Sequence, residues 1–371
     1  MFKKSLVVLV LMMTVVFAGE DYFDREKVKP FVFSVLDAEN EFENSHANAS
    51  TNFHITLFSG RVQNVYGLQL GLIANNVSND FLGYDATGIY SNINGNFAGF
   101  QTVGIVGKVA GEFTGIQESG IYSYAGANFL GVQNAGLVGK IEGNLQGIQA
   151  SGIVSTAKEV RGGQFSGIVN NADEVVGVQH AGIINNADDV TGVQVAGIVN
   201  NADYVKGVQI GLVNRSKKLD GIAIGLINLS DEGSVHLTGW AGGSSDIQAG
   251  LKFAPNDYWY TILSFGDIQD SDEIGNSHTI QTYMGLQYPV TNRFWIAGDI
   301  GSGIALPYDF DQWEDEENIW GIFEARAMVG FKIFNRVSIY GGISQSYMGH
   351  DDKHDDFDEF EKTQPFFGIQ F

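Results

Sequence analysis

A glycine recurs through the middle of this chain at a nearly fixed interval, at Gly67, Gly83, Gly99, Gly115, Gly131, Gly147, Gly162, Gly177, Gly192, Gly207 and Gly221, with steps of 16, then 15, then 14 residues. The unit is clearest from Val175 to Asp189 and in its successor from Val190. A period this short means that no copy buries its own apolar face, so copies must stack or pair in series. Residues 66–234 are therefore read as one array of eleven units, with residues 19–65 as a leading strand and cap region.

Glutamine follows the glycine by two residues at Gln69, Gln101, Gln117, Gln133, Gln149, Gln164, Gln179, Gln194 and Gln209, and only Asp85 and Ala223 break the series. Stacked coils would place these amides above one another, where each both donates and accepts, forming a structural ladder. The next position holds Thr102, Glu118, Asn134, Ala150, Phe165, His180 and Val195, a range that points to water. If each copy were instead one membrane-crossing strand, alternation would put Glu118 and His180 on the same face as Ile116 and Val178, at a cost of a few kcal/mol per charge at mid-bilayer. A solenoid with two short strands per coil and a turn at each glycine-rich corner avoids that cost. One pattern favours the rival meander: coils alternate in pairs, Tyr90 and Ser91 matching Tyr122 and Ser123, while Gly107 and Lys108 match Gly139 and Lys140.

From Val235 the pattern changes to strict alternation. Residues such as Leu237, Leu251, Phe253, Phe265, Met284, Ile300, Val329 and Ile343 lie on one face, and Lys252, Gln281, Asp299, Glu324, Arg326 and Lys332 on the other. Eight strands with apolar residues out and polar residues in read as a transmembrane barrel over residues 235–371. Short turns at 255–257, 290–292 and 334–335 alternate with longer acidic loops at 267–278, 307–318 and 349–362, as expected for periplasmic turns and external loops. The fold class is thus all-β, a β-solenoid followed by an eight-stranded antiparallel barrel, the alternative being one large meander barrel acting as a porin or transporter.

The chain ends with Phe367, Ile369 and Phe371 on alternate positions. This ending is similar to the assembly signal of bacterial outer-membrane barrels. The repeats, as in Gly207 to Asn214 and Gly221 to Asn228, resemble the GxQxGLxN surface-repeat family of spirochaetes and Bacteroidetes, although the middle copies carry one more residue before the second glycine. Together the two resemblances cover most of residues 53–371. They imply an exported envelope protein, with outer-membrane lipid and the barrel-assembly machinery as partners, and transfer no catalytic residue.

Other features agree with export. Residues 1–18 read as a secretory signal, with Lys3 and Lys4, an apolar core from Leu6 to Phe17, and Ala18 at the cleavage site. There is no cysteine, so disulfides and a lipidated cysteine are excluded. A formal charge of −22 argues against nucleic acid as a partner.

Candidate sites are sparse. The loop from His350 to Asp356 offers two His and four Asp, but Lys353 sits among them and a solvated acidic loop is the expectation, with no metal or cofactor. The Asn-Asn-Ala-Asp segments at 170–173, 185–188 and 200–203 read as turns. Glu324, Arg326 and Lys332 are expected to form a salt-bridged plug inside a barrel too narrow for a channel. Trp240, Trp259, Trp295, Trp313 and Trp320 are read as interface anchors or loop residues. Acidic residues recur with the repeat rather than standing apart as a catalytic pair, so no enzyme is expected. The expected role is structural or adhesive, the barrel anchoring and the repeats meeting an extracellular or envelope ligand from either side of the membrane.

Overall fold

The computed structural model describes residues 28–36, 48–269, 275–308, 319–334, 337–351 and 357–371, with side chains at 350–351 and 357–360 left aside. The secretory signal over residues 1–18, Trp313 and most of the His350–Asp356 loop lie outside these residues. Every regular element described is a strand. Two compact units divide the chain, Met1–His180 and Ala181–Phe371, so the division falls inside the repeat array.

The repeats form a parallel solenoid of about twelve turns in a 24-stranded sheet system. Each coil contributes one long and one short strand, from β3 (Asn64–Gly71) and β4 (Ala74–Val77) to β23 (Lys218–Ile224) and β24 (Ile227–Ser230). Long pairs with long and short with short, two elements apart. Parallel pairing excludes the meander barrel, whose neighbours would run antiparallel. The stack also starts earlier than the first glycine copy. β1 (Val28–Leu36) pairs with β2 (Ser50–Val62), whose first half continues onto β3 and second half onto β4.

The two glycines of each unit differ in their reasons. Gly115 lies within β9 (Phe113–Ser119), not at a corner, with φ of 130°, and a Cβ there would sit 1.9 Å from the Gly99 carbonyl oxygen of the preceding coil. Gly120 lies at the following corner, where a Cβ would meet the Gly104 carbonyl at 2.0 Å. Backbone approach between coils, more than turn geometry, therefore makes both positions glycine. Inside, Phe81, Phe97, Phe113 and Phe129 stack with centroids 4.6–4.9 Å apart. That spacing is the strand spacing itself.

Unit 2 carries the closed antiparallel barrel of β25 (Ser234–Gly242), β26 (Ile247–Ala254), β27 (Trp259–Ile268), β28 (Ser277–Pro289), β29 (Phe294–Pro307), β30 (Trp320–Phe334), β31 (Val337–Asp351) and β32 (Phe357–Gln370). β25 pairs with β32 from Thr238↔Gln370 to Gly242↔Phe366 and closes it. The third long loop is shorter than the sequence suggests, because β31 and β32 stay paired up to Asp351↔Phe357. Exposed Leu237, Leu251, Phe265, Leu286, Ile300, Val329, Ile343 and Phe367 cover the outside. Phe253, expected on this face, is 6% exposed and belongs to the strand against which β24 packs.

Candidate functional site

The glutamines two residues after the first glycine of each unit are all in the interior, each 0–1% exposed. In unit 1, Gln179 donates from Nε2 to Oε1 of Gln164 (2.9 Å), Gln164 to Gln149 (3.0 Å), Gln149 to Gln133, Gln133 to Gln117 (both 2.8 Å), and Gln117 to Gln101 (2.9 Å). In unit 2, Gln209 donates to Gln194 at 2.9 Å. Each of these donors points toward the N-terminal coil, and the first break in the series explains where that direction ends. Asp85, fully buried, accepts from Gln101 Nε2 and, from the other side, from Gln69 Nε2, both at 3.0 Å. Thr87 (2.9 Å) and Ser91 (2.5 Å) add hydroxyl donors. A carboxylate only accepts, so ladder polarity reverses there. Gln69 Oε1 in turn meets Nδ1 of buried His54 at 2.9 Å.

A second ladder runs on the short strands. The first asparagine of each Asn-Asn-Ala-Asp segment is not a turn residue; Asn170, Asn185 and Asn200 are fully buried. In unit 2, Asn185 donates to Asn200 (3.0 Å), Asn200 to Asn214 (2.8 Å) and Asn214 to Asn228 (2.7 Å), opposite in direction to the glutamines. Asn228 finally donates to Thr261 Oγ1 of β27 at 2.8 Å. The turn between β26 and β27 completes this junction. Asn256 Nδ2 donates to the Gly221 carbonyl (2.8 Å) and Trp259 Nε1 to the Ala223 carbonyl (2.6 Å). These carbonyls lie on β23, the last long strand, so the barrel turn satisfies acceptors that a further coil would have taken.

The barrel interior is filled. Trp240, Tyr260, Tyr283, Trp295, Met328, Tyr340 and Phe366 form its buried core. Arg326 makes a two-pronged bond to Asp299, both at 2.8 Å, and Tyr260 donates to the same carboxylate at 2.8 Å. The guanidinium also lies 3.8 Å from the Tyr283 ring centre. Glu324 is held by Ser244 and Tyr283, so the β25–β26 turn folds into the mouth. Lys332 is exposed near the end of β30, where it lies beyond the packed section, and the buried lysine is Lys252, bonded to Gln287. The plug expected from Glu324, Arg326 and Lys332 is thus centred on Arg326 and Asp299. Trp240, Trp295 and Trp320, expected as interface anchors or loop residues, are instead buried, and Trp259 serves the junction.

On the solenoid surface, Thr102, Glu118, Asn134 and Ala150 line a shallow groove of about 490 Å³ with Gly104, Gly120 and Gly136 along it. Burial holds the Tyr122 phenol above its ordinary value, opposed by nearby Lys140. Among the described residues no cluster of three or more His, Asp or Glu is placed to hold a metal. Phe367 and Phe371 are exposed on alternate positions of the final strand and its end, as is Ile369 at 37%. The Asn ladder, His54 and the role of Asp85 were missed by sequence reasoning. Only the recurrence of Asn170, Asn185, Asn200, Asn214 and Asn228 at the repeat period could have shown the first.

Fold and site together define a two-part all-β protein, a parallel solenoid with amide ladders and a closed, side-chain-filled barrel with an apolar exterior. No protein-family model matches the chain, and a search of curated proteins returns no match. Among solved structures it is similar to outer membrane protein H (OprH) from P. aeruginosa, solved in solution in DHPC micelles. Identity is 12%, TM-score 0.28, and the match covers 37% of this chain and 97% of that one.

Proposed function

We propose that the chain is a bacterial outer-membrane protein in which the barrel is an anchor and the solenoid a non-catalytic scaffold held on the periplasmic side. The apolar barrel exterior suits lipid, and the packed Arg326–Asp299 interior leaves no conduit for a transport role. The junction carries the reading of sidedness. Asn256, Trp259 and Thr261 belong to the short-turn end of the barrel, the end that also holds Ser234 and Phe371. Outer-membrane barrels keep short turns on the periplasmic side, so a solenoid bonded to such a turn shares that side. This replaces display at the cell surface by a role inside the envelope.

The absence of cysteine makes the test direct. Single cysteines at Lys158 and Gly275 are labelled on whole cells with a membrane-impermeant maleimide. Gly275→Cys should react on intact cells and Lys158→Cys only after permeabilisation. Labelling of Lys158→Cys on intact cells would place the repeats outside and return the adhesive reading.

A further inference from the structure

The pairwise alternation of coils leaves a feature that anchoring does not use. β6 (Tyr90–Ile93), β8 (Val106–Val109), β10 (Tyr122–Ala125) and β12 (Val138–Ile141) pair in register. Tyr90, Val106, Tyr122 and Val138 form one column on the outer face, and Asn92, Lys108, Tyr124 and Lys140 the next. On the inner face the alternation is Ser91, Gly107, Ser123, Gly139, and packing accounts for it, since a Cβ on Gly107 would come within 2.7 Å of Ser119 Oγ. Side chains on opposite faces of a strand do not touch. Inner packing therefore gives no reason for the outer face to alternate between aromatic and cationic coils.

We propose that this outer face binds a linear, carboxylate-bearing polysaccharide with a two-sugar repeat, lying along the stack. Parallel strands are spaced by ~4.8 Å, so equivalent groups recur every ~9.6 Å, close to the length of a β-linked disaccharide. Lys108 and Lys140 each meet one carboxylate. Tyr122 and Tyr124, with ring centres 6.3 Å apart, supply apolar ring faces for the sugar plane and O–H donors for its hydroxyls. No acidic side chain stands among the eight residues of the two columns. Lys108 makes no ion pair among the described residues, and Lys140 is bonded to Glu142 at 2.8 Å with both side chains 40% or more exposed, a pair that a ligand displaces at little cost. Two lysines two coils apart on one polymer bind more tightly than either alone. The inference rests on the envelope reading only for access to such a polymer, and its test does not depend on which side of the membrane the solenoid occupies.

The full chain in detergent micelles is titrated calorimetrically with hyaluronan octasaccharide, a β-linked probe with one carboxylate per disaccharide, and with a neutral chitin oligosaccharide. Hyaluronan should bind, and chitin at least tenfold more weakly. Lys108→Gln with Lys140→Gln should weaken hyaluronan at least tenfold and Tyr124→Ala several-fold, while Lys206→Gln, outside the face, leaves it unchanged; circular dichroism verifies that each variant is folded. No binding of hyaluronan, equal binding of the two sugars, or full affinity in the folded double-lysine variant would each overturn the proposal.

Discussion

Both halves of this molecule bury polar side chains, but they satisfy them by opposite means. In the solenoid a glutamine or asparagine is bonded to its own copy one coil away, so one solution is reused by translation. In the barrel Arg326 is hydrogen-bonded to one carboxylate, Asp299, and Glu324 to one set of donors, none of them repeated. A translated network loses one rung when a residue changes, whereas a singular one loses its counter-charge. The contrast predicts how the halves fail.

Asp299→Ala should be the most damaging change, because it strands a buried guanidinium, at a cost of about 4 kcal/mol. All five tryptophans lie in the barrel region, so fluorescence-detected urea unfolding in micelles isolates this effect; an unchanged midpoint would mean that the pair is dispensable. Gly115→Ala adds a methyl group against the Gly99 carbonyl on a left-handed backbone and should cost about 3 kcal/mol. Far-UV circular dichroism should report that loss with the tryptophan signal unmoved. Asp85→Gln is the sharpest test of the comparison, since it installs the residue that the other coils use. If the carboxylate is the point of reversal, an amide there leaves facing donors and destabilises by about 2 kcal/mol; a gain in stability would show Asp85 to be an ordinary substitution in the ladder. Asn228→Ala removes the bond to Thr261 and should cost about 1 kcal/mol, read as faster amide exchange in β24.

The same contrast governs what could be read from the sequence. Translation writes itself as periodicity, so the glycines, the glutamines and the water-facing slot at Glu118 and His180 are legible in the sequence alone. Alternation likewise exposed the two faces of the barrel, including Lys252, Asp299 and Arg326 on the inner one. Illegible were the choices that depend on a partner far along the chain. Arg326 prefers Asp299 over Glu324, Phe253 and Trp259 are taken up near the last coil, and Asp85 is a hub and not a lapse. The buried asparagines were misjudged because Asn is common in turns, and that local preference yields to a tertiary ladder when each amide finds a copy of itself.

The ladders also make length an adjustable property. Between Gln101 and Gln149 each coil presents its neighbours with the same amide, the same glycine carbonyl and an apolar residue at the same place, so removing or duplicating a pair of sixteen-residue coils there leaves every junction chemically unchanged and keeps the alternation of Tyr122 with Lys140. Neither end tolerates such editing, because Asp85 with His54 and Asn228 with Thr261 occur once each. A lineage could therefore set the height of this stack in whole steps, ~4.8 Å for each coil, without redesigning the anchor or the cap.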